Sequence, residues 1–271
     1  MYRKKTVLAV VAHADDMEFL AAGTVARFID EKGYDAYEYI LTDNSKGSYR
    51  LSAEELIEVS AREAVEAGRV LGLKEVRLEG YADGNLNEVH PNILRGKIMS
   101  MIREVKADIV MSWDPFAPYE EHPDHRMAAM ATIEAASFAP NPLFYPEHKY
   151  SPYMVTEAYW FAKTPHNAGL FVDVSSTIDR KIEALLKHDC QMVLTVDGFM
   201  REAKTLGAEL PLFKDLSQDG HRAVIDMGVR QFCAATGAKA GMAFAEQFRY
   251  EKLGSLDKLL GTNLIEPDFS L

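Results

Sequence analysis

"TVLAVVAHADD", residues 6–16, is the stretch that decides the fold. Five apolar residues, Val7 to Val11, run unbroken toward His13 and then two adjacent aspartates, Asp15 and Asp16. An unbroken apolar run of this length predicts a strand covered on both faces, as in a parallel sheet. Two neighbouring carboxylates at its end repel each other. Either they open a helix, where negative charge meets the dipole, or a divalent cation balances them. Basic residues ahead of the run give it a faint likeness to a secretion signal. The run is too short for one and leads straight into carboxylates, so it reads as a first strand.

Working outward, strand and helix patterns alternate through the first 140 residues. Apolar spacing predicts a helix over 17–32, ended by Gly33, and then a strand over 35–42. A helix over 52–72 opens on a capping box, Ser52 with Glu55, and stops at Gly72. A strand at 75–79, a helix at 91–106, a strand at 107–113 and a helix at 123–138 follow. Such alternation implies an α/β fold, a mainly parallel sheet with helices on both faces. Every parallel strand then ends on one edge, and ligands bind outside it.

The second half is less regular. Strands are expected over 152–163 and 170–174, with helices over 175–193, 197–208 and 220–236. Prolines gather between positions 140 and 165, which reads as a surface connection, not a domain boundary. The expectation is one domain over 1–271, with a motif-bearing core of about 5–195 and further helical and strand elements over 196–271.

Composition narrows the function. Acidic residues outnumber basic ones, 41 to 30, and the net charge of −11 argues against a nucleic-acid groove. Cys190 and Cys233 form no disulfide framework, which suits a reduced, cytoplasmic setting. No segment approaches the ~18 apolar residues of a membrane span.

The strand ending at Trp113 leads into "DPFAPYEEHPDHRMAA", residues 114–129. This loop falls on the same sheet edge as His13, so the two stretches face each other. His13 and Asp16, three apart across a strand-to-helix turn, can point at one centre, and His125 can complete it. Two imidazoles and a carboxylate with an open position make a catalytic zinc site. Zinc lowers the pKa of bound water to about 7. Asp15 can then take that water's proton as general base. His122 can stabilise a developing oxyanion, with Asp124 placed to orient His122 and favour its protonated form.

These residues resemble the PIG-L/LmbE-like family of zinc-dependent N-acetylglucosaminyl deacetylases. The family carries AHPDD after its first strand, and this chain has "AHADD" (12–16). "HPDH" (122–125) is intact. "LTDNSKG" (41–47), "DGNL" (83–86) and "KIEALLKHDCQ" (181–191) are weaker similarities. The resemblance covers about residues 5–195. It implies a Rossmann-like fold, zinc on His13, Asp16 and His125, Asp15 as base, and His122 with Asp124 at the oxyanion. It also implies that an N-acetylated amino-sugar conjugate is the substrate. Iron(II) suits the same donors. Oligomeric state stays open, with homo-oligomers common among relatives. Ala14 replaces the family's proline, which frees the turn. Arg62 stands in the helix that often supplies a substrate-binding arginine. Tyr119 lies near the place of a tyrosine that some relatives use. Gly47 would let backbone approach a sugar, or is a turn glycine. His188 reads as a helix-surface or core histidine.

Three functions compete: a metal-dependent N-deacetylase, a metal phosphoesterase and a non-catalytic metal- or sugar-binding relative. The phosphoesterase usually needs two metals, and the chain offers one tight histidine–carboxylate set. A binding relative would have no use for Asp15.

Overall fold

Five apolar residues in sequence do form a fully covered strand, β1 (Thr6–Val11), and it lies inside the sheet. The computed structural model describes residues 4–208 and 218–269. Its sheet has seven strands in the order β3-β2-β1-β4-β5-β7-β6. β2 (Asp35–Thr42), β3 (Glu75–Tyr81), β4 (Ile109–Trp113) and β5 (Glu157–Phe161) continue the parallel set around β1. The chain runs outward from β1 to β3 and returns to β4 on β1's other side. The strand order therefore reverses between β1 and β4, and a crevice opens beyond their C-terminal ends.

Alternate residues of β1 supply two cores. Val7, Ala9 and Val11 pack with α2 (Ala22–Lys32) and α3 (Ala53–Leu71), while Leu8 and Val10 pack with α4 (Pro91–Val105) and α5 (Pro123–Phe138). α3 keeps its expected capping box at Ser52 and its left-handed end at Gly72. Gly23 is a packing glycine: a Cβ there would sit 2.7 Å from Val174.

Two expected helices come out broken, each for a tertiary reason. The helix expected over 17–32 is two helices, α1 (Asp16–Leu20) and α2, broken at Ala21. The backbone N–H groups of Gly23 and Thr24 donate to Glu246 at 2.9 and 2.8 Å, and Lys181 draws the carbonyl of Phe19 at 2.8 Å. A buried carboxylate thus caps a new helix start. The helix expected over 175–193 likewise splits into α6 (Ile178–Leu185) and α7 (Asp189–Thr205), and Glu63 accepts from Cys190 N at 3.2 Å in α7's first turn. The sheet is mainly parallel, as expected. β7 (Ala245–Lys252) runs antiparallel between β5 and β6 (Leu170–Asp173).

α8 (Gln218–Gly237) packs on α6 and α7 around a third apolar cluster, and a short α9 (Leu256–Leu260) follows β7. No helix among the described residues is long and apolar enough to cross a membrane.

Candidate metal and catalytic site

His13 leaves the end of β1, and His122 and His125 flank the start of α5, which follows β4. The crevice at the strand-order reversal brings them together. His13 Nδ1 lies 3.1 Å from His125 Nε2, and Asp16 Oδ1 lies 3.8 and 3.3 Å from the same two atoms. His122 stacks on His125 with ring centroids 4.4 Å apart.

Each of the three converging groups is oriented from behind. The other oxygen of Asp16, Oδ2, accepts from Ala12 N at 3.0 Å, His13 N at 2.9 Å and Trp113 Nε1 at 2.8 Å. That fixes Oδ1 toward the imidazoles. His13 Nε2 faces Asp83 Oδ1 at 3.2 Å, and His125 Nδ1 faces Glu120 Oε1 at 3.0 Å. If each outer nitrogen donates its proton to its carboxylate, both inner nitrogens carry lone pairs. Three acceptors then aim at one point with no donor among them. Their separations are close to the ~3.3 Å edge of a tetrahedron with zinc bonds of about 2.0–2.1 Å. The donor set therefore fits a divalent ion, and the outer carboxylates supply the support that such ligands need.

The charges of the cluster shift one another's titration. Burial alone would raise the Asp16 carboxyl, but His125 and His13 outweigh it and hold it well below the usual range. Burial lowers His13, yet hydrogen bonds to Asp124, Asp16 and Asp83 outweigh that and raise it well above its ordinary value. Asp15 is half-buried beside the cluster, and burial together with Asp16 pushes it up to about 6, against the pull of His188 and His13.

The role expected for Asp124 changes. Its carboxylate accepts from Gly84 N at 2.6 Å and Leu86 N at 3.0 Å and lies 3.5 Å from His13 Nε2. The grip on His122 comes from the backbone of Asp124, whose N–H donates to His122 Nδ1 at 3.2 Å. Nor is protonated His122 favoured. Burial, then His13 and His125, lower its pKa, and the opposing pull of Asp124 is weaker. With Nδ1 accepting, neutral His122 keeps its proton on Nε2.

His122 also has a ligand atom within ion-binding reach of His13 and His125, and so does a further group, His13 with Asp83 and Asp124. Its carboxylates are already engaged by backbone: Asp83 Oδ2 by Lys46 N at 2.9 Å, and Asp124 by Gly84 and Leu86. It reads as a brace behind His13.

Other expected contacts fall differently. Arg62 is exposed and does not line the cavity, because the buried stripe of α3 runs through Ser60, Ala64 and Ala67 and turns position 62 outward. Glu63 faces inward in its stead. Tyr119 is 83% exposed, with a left-handed φ of 62°, and also points away from the cavity lining. Gly47 does line the cavity, with Gln191 packed so closely that a Cβ would come within 2.8 Å of its Oε1. His188 is fully buried, 3.6 Å from Glu18. Ala14 is buried, and its N–H donates to Asn44 Oδ1 at 3.3 Å, a bond that a proline could not make.

Sequence reasoning missed Glu120 and Asp83. Glu120 stands two residues before His122. Asp83 follows β3, whose C-terminal end is on the same edge as those of β1 and β4, and that position was the available signal.

Comparison with known proteins agrees with the geometry. The GlcNAc-PI de-N-acetylase family, PIG-L, matches residues 8–136. Diacetylchitobiose deacetylase of Thermococcus kodakarensis is 33% identical over 192 residues, 69% of this chain and 70% of that protein. A probable N-acetyl-alpha-D-glucosaminyl L-malate deacetylase 2 of Bacillus anthracis is 28% identical over 217 residues, 74% of this chain and 88% of its own. The solved N,N'-diacetylchitobiose deacetylase from Pyrococcus horikoshii superposes with a TM-score of 0.73 at 25% identity, covering 91% of this chain and 84% of that one. With both histidine–aspartate stretches inside the matched region and meeting at one sheet edge, the chain belongs to the PIG-L family of deacetylases.

Proposed function

We propose that this protein hydrolyses the acetamide of an N-acetylglucosamine-type sugar conjugate at a single metal site made by His13, Asp16 and His125. One observation carries the reading: His13 Nδ1, His125 Nε2 and Asp16 Oδ1 meet within 3.1, 3.3 and 3.8 Å of one another in a cavity of about 800 Å³ that Asp15 also lines. Zinc, or iron(II), bound there supplies Lewis acidity and lowers the pKa of water to about 7.

The protein's own groups do the rest. Asp15, raised toward neutrality by burial and by Asp16, accepts the proton of the attacking water and returns it to the departing nitrogen. His122 donates from Nε2 to the acyl oxygen as negative charge develops, held in place by Asp124 N–H. Water oxygen joins the acetyl carbon, the C–N bond breaks, and acetate and a free amine leave. Asp124 and Asp83 brace His13.

The test is acetate release from a panel of N-acetylglucosamine conjugates, with and without chelator, alongside metal content. About one ion per chain and chelator-sensitive release support the reading. Undiminished release in chelator overturns it, as would two tight ions with turnover of phosphate esters alone.

A further inference from the structure

We propose that the substrate is an amino-sugar conjugate bearing a hydrocarbon substituent, and that this substituent lies in an apolar lobe of the same cavity. The inference rests on the deacetylase reading and narrows its substrate class.

The cavity, at about 800 Å³, is near the upper end of small-molecule pockets, ~300–1,000 Å³. Its polar lining comes from the residues that follow β1 to β5 and from Gln191 and Thr195 on α7. The remainder comes from helices: Phe19 on α1, Leu194 and Phe199 on α7, and Ile225, Val229 and Phe232 on α8. None of the residues that α7 and α8 contribute is charged. This wall is the open side of the third apolar cluster, to which Ile225 and Val229 belong and on which Phe19 packs. Phe199 is 46% and Phe232 45% exposed. A contiguous apolar surface left facing solvent marks a binding site, and this one opens directly onto the metal and catalytic residues. A hydroxyl-rich sugar ring, with only its C–H face to offer, does not cover all of it. A hydrocarbon chain does, with a driving force that grows with the area removed from water. Gly228 on α8 keeps the lobe open, since a Cβ there would meet nothing within 4 Å.

Two sources could supply the chain, the aglycone or the acyl group, and two arms separate them. One arm uses methyl, butyl and octyl glycosides of N-acetylglucosamine. The other uses glucosamine N-acylated with acetyl, butanoyl and octanoyl groups. Release of free amine is followed in both. In the arm whose chain enters the lobe, kcat/KM rises about fourfold per methylene over the first few carbons. Gly228→Leu, a favourable change for helix α8, fills the lobe and flattens that rise. A flat series in both arms, with acetate still released, overturns the lobe and leaves the deacetylase reading intact. Calorimetric binding of both substrate series to chelated enzyme runs in parallel. If no substrate releases acid but affinity climbs with chain length, the lobe stands and the deacetylase reading falls. If affinity does not climb, the lobe falls too.

Discussion

Glu120 holds the back of His125: its Oε1 lies 3.0 Å from His125 Nδ1, and Lys163 Nζ lies 3.2 Å from that same oxygen. The contact fixes which imidazole nitrogen faces the cluster. Glu120→Gln should weaken metal binding about 10- to 100-fold while leaving the fold intact. Metal titration against a competing chelator, with circular dichroism as the folding control, measures it. Unchanged affinity would sink the assignment of Glu120 as the orienting group.

The same carboxyl titrates unusually. Burial raises its pKa, but His125, the His122 N–H and Lys163 outweigh burial and bring it down to about 2 from 4.5. A carboxyl depressed in the folded state lends stability above pH ~4.5 and loses it as the pH falls toward 2. In chelated protein, the stability difference between wild type and Glu120→Gln should therefore shrink across that window. Urea melts at stepped pH give the answer, and a difference that holds constant from pH 5 to pH 2 contradicts it.

Asp15 and His122 should be separable from the ligands. Asp15→Asn is expected to retain metal and lose at least ~100-fold in kcat, the usual scale for a general base. His122→Ala is expected to lose a similar factor in kcat with little change in metal content, since its donor is needed only as charge develops. His125→Ala, by contrast, should lose the metal. Steady-state kinetics beside elemental analysis of each variant distinguishes the two classes.

Much of this was legible from sequence, for identifiable reasons. The runs before His13 and Trp113 had to be central strands, and parallel strands share one edge, so the two histidine stretches had to meet. What escaped depended on distant partners. Nothing local in "DMEFLAAGTVARF" announces the break at Ala21, because Glu246, more than 200 positions away, makes it. Arg62 was misplaced because a helix can be read without fixing its rotation, and Tyr119 because a left-handed turn aims it at solvent. Asp124 was given the right neighbourhood and the wrong partner: its backbone grips His122, while its carboxylate serves the loop after β3.

Lys181 and Glu246 form a buried pair at 2.7 Å, and the glutamate also caps α2 and accepts from Thr24 Oγ1 at 2.6 Å. Removing one member strands the other charge. Lys181→Met should cost about 3–5 kcal/mol, and should disturb the turn that carries Phe19. Denaturant melts measure the loss; a change below ~1 kcal/mol would show that the pair is dispensable.

The bonds that aim Asp16 all come from the polypeptide itself: Ala12, His13 and Trp113 grip its Oδ2. The cradle is consequently built by folding and does not wait for its ion. Chelated protein should keep its shape and accept zinc, iron(II) or cobalt(II) in turn without renaturation, so that one purified batch can report which ion sustains the fastest turnover.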